Sequence, residues 1–293
     1  MFIKLLLSIL IIILIFYFIL VPIPIKFFIN LFDIKPQHYD ILKSDPATVE
    51  IINDEKNAYT FYKTTAAENN ENLIIWFNGG AFLYSDRSVC FGFLNNLYLK
   101  LDKKFNILIF NYPVRFKNSI YDAMLHINNL FNEKLKLQEK FKNFYGIGMS
   151  AGALLMATFQ QKETKLEISK KIQIPQIGLK FKSLVSICGV LSSTNFNNKF
   201  LNQLFKFYIM SKTPNYQEYS MYNLSPDTPK LLISWEKDFL YSQTISFLQT
   251  ESNCQSLIFS AKKNPYLNHQ FIEFLNFPET EETVKKVANF LIS

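Results

Sequence analysis

The chain has 293 residues, 49% of them hydrophobic and 16% aromatic, with a formal net charge of +7. Its three cysteines, Cys90, Cys188 and Cys254, allow at most one disulfide, and their spacing is not that of metal ligands. No zinc motif, dinucleotide fingerprint or Walker loop is present, so neither a cofactor nor a metal is expected. The lysine-rich stretch (Lys162, Lys165, Lys170, Lys171, Lys180, Lys182) has no nucleic-acid fold signature. It reads as a solvated face, with attraction to anionic lipid headgroups as the sharper alternative.

Residues 5–25 carry no charge and are dense in Ile, Leu and Phe. At about 1.5 Å per residue, such a helix crosses a hydrocarbon core of about 30 Å. No small-x-small cleavage site follows, so the stretch reads as an uncleaved signal anchor over 1–26 that Pro22 and Pro24 close. The lysines on its two sides are balanced, so orientation and compartment stay open. Residues 27–293 then form one water-facing domain. No second long apolar run occurs in it, and about 265 residues suffice for a large core.

Within that domain apolar runs at 58–62, 73–77, 107–111, 144–147, 184–188, 231–235 and 257–260 are predicted strands. Helical patterns at 120–137, 151–160, 243–250 and 279–291 alternate with them, which predicts an α/β fold with a mostly parallel sheet. Residues 160–182 read as a polar surface excursion. Two loop regions, about 27–45 and 191–222, are candidate cap segments. The second is rich in Phe, Tyr, Leu and Met and reads either as a lid over an apolar pocket or as ordinary core.

Glycine is scarce, eight residues in the chain, yet five of them cluster at two places. Gly79 and Gly80 directly follow the run 73–77. Gly146, Gly148 and Gly152 surround Ser150 in a strand–turn–helix pattern. Such a turn projects a serine hydroxyl above the sheet edge and demands tiny neighbours. The following helix directs free N–H groups and its positive dipole end at the same spot.

A serine of ordinary acidity needs a base, and the base an orienting acid. Of the three histidines, His38 reads as a surface or cap residue and His126 as part of a helix face. His269 lies in a turn-rich loop after the run 257–260, so it is the candidate base. Asp238 follows the strand-like run 231–235 and is the candidate acid, with Glu236 its rival. The order Ser150, Asp238, His269 is the one hydrolases with a serine elbow on an α/β sheet use.

From about residue 73 onward the chain resembles the hormone-sensitive-lipase type of α/β-hydrolase, which includes esterases, lipases and arylacetamide-deacetylase-like enzymes. The resemblance rests on Asn78–Phe82, Asn111-Tyr112, Asp122-Ala123, the Ser150 elbow, Ser225-Pro226, the turn at 236–241, and His269 followed by Phe271. It implies a helical cap and an oxyanion hole made by the backbone N–H groups of Gly79, Gly80 and Ala151. Each such donor is worth about 2.7–4 kcal/mol in the transition state. The chain departs from the family's His-Gly-Gly-Gly loop at Asn78 and Ala81, and has Pro113 where arginine is usual.

The resulting expectation is a membrane-anchored serine hydrolase acting on apolar or lipid-like carboxylic esters. An amidase or deacylase using the same residues, or a binding protein that has lost its chemistry, are the alternatives.

Overall fold

The computed structural model describes residues 49–56, 58–64, 71–114, 118–194, 202, 210 and 213–293. The chain divides into two units, Met1–Gln37 and His38–Ser293, and every described residue belongs to the second. The anchor expected at 1–26, the cap segment 27–45, His38 and most of 195–212 lie outside the described residues. Among the described residues no helix is long and apolar enough to cross a membrane.

Among the described residues eight strands form one sheet: β1 Val49–Asp54, β2 Tyr59–Thr64, β3 Asn72–Phe77, β4 Asn106–Phe110, β5 Asn143–Met149, β6 Phe181–Ile187, β7 Lys230–Trp235 and β8 Cys254–Phe259. Their spatial order is β1-β2-β4-β3-β5-β6-β7-β8. β1, β2 and β4 pair antiparallel, and the remaining pairs run parallel. The inner strands are apolar without alternation because both faces of the sheet are covered. In β3, Leu73, Ile75 and Phe77 enter one core while Ile74 and Trp76 enter the other.

Among the described residues, the helices of seven or more residues that supply the two layers are α1 Phe91–Lys100, α2 Ile120–Asn129, α3 Ala151–Thr164, α4 Leu166–Ile172, α5 Tyr241–Thr250 and α6 Pro278–Ile292. The core with Phe77 takes Met124 of α2, Leu154 of α3 and Phe247 of α5. The core with Trp76 takes Leu94 of α1 and Val287 of α6. Ser119 begins α2 with a capping box: its hydroxyl accepts from the Asp122 N–H (3.2 Å), and its own N–H donates to Asp122 Oδ2 (2.6 Å). Pro278 opens α6, where its missing N–H costs nothing.

Three sequence expectations are corrected. The first strand of the sheet is β1, an exposed edge strand with too little apolar patterning to stand out, and Ala58 sits in the turn before β2 with φ +55°. Helix α1 was not anticipated; its mixed sequence amphipathically covers the sheet.

The third correction concerns 160–182, which is no surface excursion: α3 continues to Thr164, α4 follows, and Phe181 begins β6. Gln160, Gln161, Lys162 and Glu163 are all buried. Lys162 therefore does not belong to a solvated face. Its ammonium pairs with Glu163, donates to Pro175 O (3.2 Å) and lies 4.2 Å from the Phe159 ring centre. Burial pulls its pKa down against the opposing pull of Glu163. Glu163 in turn accepts from the N–H groups of Ile177 and Gly178, so the pair ties the α4–β6 loop to α3. A local pattern cannot reveal such a pair, because each charge is buried only through groups supplied by a distant loop. Lys170, Lys171, Lys180 and Lys182 are exposed.

The described part of the 191–222 segment has both core and exposed positions, with Thr194, Asn215 and Gln217 exposed. Leu191, Met210, Tyr219 and Met221 are buried. Gln243 of α5 pins its start, accepting from the N–H groups of Leu191 (2.8 Å) and Ser192 (3.2 Å).

Candidate active site

Ser150 stands between β5 and α3 with φ +49° and ψ −119°, outside the regions an L-residue prefers. Neighbouring backbone holds it there: its N–H donates to Ile187 O (3.0 Å), and its carbonyl accepts from Ala153 (3.1 Å) and Val190 (2.9 Å). Such strain persists only where surroundings over-determine it, and it concentrates at functional sites. The glycines around it are dictated by space. A Cβ on Gly152 would lie 2.1 Å from Phe77 O, and one on Gly148 2.5 Å from Ala153 Cα.

His269 Nε2 lies 2.7 Å from Ser150 Oγ, and its Nδ1 lies 2.7 Å from Asp238 Oδ2. Ser150, just past the end of β5, thus meets residues from the loops after β7 and β8, because all three leave the same C-terminal edge of the sheet. Asp238 is buried, and its other oxygen accepts from the Leu240 N–H (2.7 Å). Burial alone would raise its pKa. The charge and hydrogen bond of His269, the Leu240 N–H and the Cys188 thiol outweigh that and hold the carboxyl below its ordinary value. An imidazole carrying its proton on Nδ1 would donate it to this carboxylate and leave Nε2 to accept from Ser150.

Glu236, the rival acid, faces elsewhere: it accepts from Ser260 Oγ (3.0 Å) and the Ala261 N–H (2.8 Å). His126 lies on α2 with its Nε2 buried and unpartnered. Burial lowers its pKa, with Lys134 adding to that and a hydrogen bond to the Asn111 backbone opposing it.

Gly79 is packed against the serine: a Cβ there would lie 3.3 Å from Ser150 Cβ and 3.4 Å from Met149 O. Gly80 O accepts from the N–H groups of Leu83 (2.9 Å) and Tyr84 (3.0 Å), closing a tight loop in which Ala81 and Phe82 both take positive φ. Asn78 braces this loop, its Nδ2 donating to Phe110 O (2.7 Å) at the end of β4. Tyr112 does the same from below, its hydroxyl donating to Asn78 O (3.0 Å). Ala151 is the first residue of α3, where N–H groups have no partner within the helix.

A family model described as steryl acetyl hydrolase matches residues 7–178. The chain belongs to the steryl acetyl hydrolase family. It is a carboxylic ester hydrolase. The match includes the glycine loop and Ser150, while Asp238 and His269 lie beyond it. No curated protein matches the chain. Among solved structures, esterase B from Lactobacillus Rhamnosis (HN001) is similar at TM-score 0.71 and 16% identity, covering 93% of this chain and 94% of that one. Carboxyl esterase 2 from the mycorrhizal fungus Tuber melanosporum gives 0.61 and 13%, covering 90% and 96%. A hormone-sensitive lipase from a metagenome library gives 0.63 and 12%, covering 86% and 87%. At these identities the likeness is one of fold, and the fold is that of α/β-hydrolases.

Several residues at this hydrolase's site escaped the sequence reading. Tyr112 lay in a recognised stretch but had no visible role. Arg87 is buried and donates from its Nε to Thr60 Oγ1 (2.9 Å) and from Nη2 to Asn53 Oδ1 (3.0 Å). Its backbone N–H donates to Asn111 Oδ1 (2.8 Å), so it clamps the segment after the glycine loop to β1, β2 and the end of β4. Cys188 is buried and lies against Asp238, with φ +44° just after β6. Sulfur, carboxylate oxygen and imidazole nitrogen of Cys188, Asp238 and His269 lie within 4.8 Å of one another. A soft metal ion would suit that donor set, yet two of the donors are already joined by the His269–Asp238 hydrogen bond. Phe239 leans on His269 with ring centres 4.5 Å apart and 41° between the planes.

Proposed function

We propose that the chain is a serine esterase in which Ser150, His269 and Asp238 form the catalytic triad. The observation that carries this reading is the unbroken chain of two 2.7 Å contacts from Asp238 Oδ2 through the imidazole to Ser150 Oγ. In this reading His269 Nε2 takes the hydroxyl proton as Oγ attacks the acyl carbonyl. Asp238 stabilises the imidazolium that forms, and the N–H groups of Gly79, Gly80 and Ala151 receive the oxyanion. Collapse of the tetrahedral intermediate returns the proton from Nε2 to the departing alcohol oxygen. Water then attacks the acyl-enzyme with the same imidazole as base, and Ser150 is regenerated with release of the acid.

The substrate class that fits best is the acetyl ester of a bulky apolar alcohol, in keeping with the steryl acetyl hydrolase family description. We further propose that residues 1–26 anchor the enzyme in a membrane and that 27–293 form the hydrolase domain. The uncharged stretch at 5–25 supports this, since an apolar ester partitions into the bilayer beside which such an anchor would hold the site.

The deciding experiment treats the full chain and Ser150→Ala with a fluorophosphonate probe and locates the adduct by peptide mass. Labelling confined to Ser150 supports an activated nucleophile. A folded wild-type protein that stays unlabelled would favour a hydrolase-fold binding protein. For the anchor, full-length protein retained in membranes through a carbonate wash is the expected result, and release into the soluble fraction overturns it.

A further inference from the structure

Phe239 follows Asp238 directly and is flanked by the buried Leu240, yet 51% of it is exposed. Its position is set by the turn that carries the acid: Asp238 N–H donates to Trp235 O (3.0 Å) and Tyr241 N–H to Asp238 O (3.0 Å). The ring leans on His269 at 4.5 Å between centres, with 41° between planes. A large apolar side chain is thus held against the imidazole of His269, with about half of its surface presented outward. Left in water, that surface is unfavourable; covered by an apolar group, it gains roughly 25 cal/mol per Å².

The proton path says which part of an ester would cover it. The same Nε2 that takes the Ser150 proton must deliver it to the leaving oxygen, so the alcohol portion has to lie on the imidazole side of the serine. The oxyanion lies on the other side, toward Gly79 and Ala151. We propose that Phe239 is the specificity-determining platform for the alcohol portion of the ester, favouring leaving groups with an extended apolar surface. The inference rests on the triad reading above.

Two effects of the ring separate cleanly. Its contact with the imidazole, including any stabilisation of the imidazolium by the π face, is common to every ester. Its contact with the alcohol grows with the size of that alcohol and vanishes for ethanol. Specificity is therefore read as a ratio.

The experiment measures kcat/KM of the detergent-solubilised full chain, Phe239→Leu and Phe239→Ala. The substrates are ethyl acetate, cyclohexyl acetate, a long-chain alkyl acetate and, as an acyl control, ethyl hexanoate. In Phe239→Ala the ratio of bulky-alcohol acetate to ethyl acetate should fall about tenfold, whatever common factor all substrates share, with Phe239→Leu intermediate. The ratio of ethyl hexanoate to ethyl acetate should hold. Equal losses on every ester, or unchanged ratios, would overturn the platform and leave Phe239 a wall for His269. Failure of the triad reading looks different: wild type would then hydrolyse none of the four esters and Ser150 would not label. Because Phe239 is half in water, both variants should keep the wild-type melting temperature within a few degrees.

Discussion

Glu236 and Asp238 leave β7 two residues apart and end on different partners. Asp238 turns inward to His269 Nδ1 at 2.7 Å, and Glu236 turns across to Ser260 Oγ and the Ala261 N–H on the loop after β8. In the proposed triad the first contact orients the base; the second joins the two loops that carry Asp238 and His269.

Asp238→Asn should therefore cost far more rate than Glu236→Gln. An amide at 238 keeps the shape but favours the wrong imidazole tautomer, for which a loss of about 10⁴ in kcat is the precedent in serine proteases. Glu236→Gln should lower kcat by less than about tenfold, since it loosens a loop without touching the imidazole. Steady-state kinetics on one ester decides it, and the reverse order would move the acid to Glu236.

Ser150→Ala should abolish ester turnover while leaving the fold intact. The Ser150 backbone, through its bonds with Ile187, Ala153 and Val190, holds the elbow, and alanine keeps those bonds. The positive φ at 150 limits any gain in stability. Turnover remaining within tenfold of wild type would refute the nucleophile assignment.

Glu273 gives a pH dependence of stability. It is buried in the turn four residues after His269, facing Tyr84 and Cys90, and burial raises its pKa from 4.5 to about 8. The folded state thus binds a proton that the unfolded chain releases. The stability this confers is complete below about pH 4.5 and is lost as pH rises through about 8. Glu273→Gln should remove that dependence and raise stability at pH 8 by roughly 2–4 kcal/mol, with little change at pH 4.5. Urea midpoints at the two pH values are the measurement; equal effects at both would mean the carboxyl is ionised in the fold.

Breaking the buried pair on α3 should be costly. Glu163→Gln leaves the Lys162 ammonium buried without its counter-charge, an expected loss of about 3–5 kcal/mol. Lys162→Met together with Glu163→Gln should recover part of that, because no unpaired charge remains. A double mutant no more stable than Glu163→Gln alone would show that Lys162 already loses its proton in the fold.

The sheet's inner strands, the serine elbow and the family resemblance are legible in the chain alone, and the reason is local. Runs such as Leu73–Phe77 are apolar on both faces because both faces are covered, and Gly148 and Gly152 are required by contacts within a few residues of Ser150 or with the strand beside it. The sequence also narrowed the acid to two residues on one turn, but spacing along the chain could not say which of them points inward. The fold brings Asp238 and not Glu236 to His269, and it likewise brings Arg87 to clamp the segment after the glycine loop, buries Lys162 and leans Phe239 on His269. Each of these depends on groups brought from a distant segment: Asn53, Thr60 and Asn111 for Arg87, the α4–β6 loop for Lys162, the loop after β8 for Phe239. A charge or a ring carries no mark in its own neighbourhood of what the folded chain will lay against it.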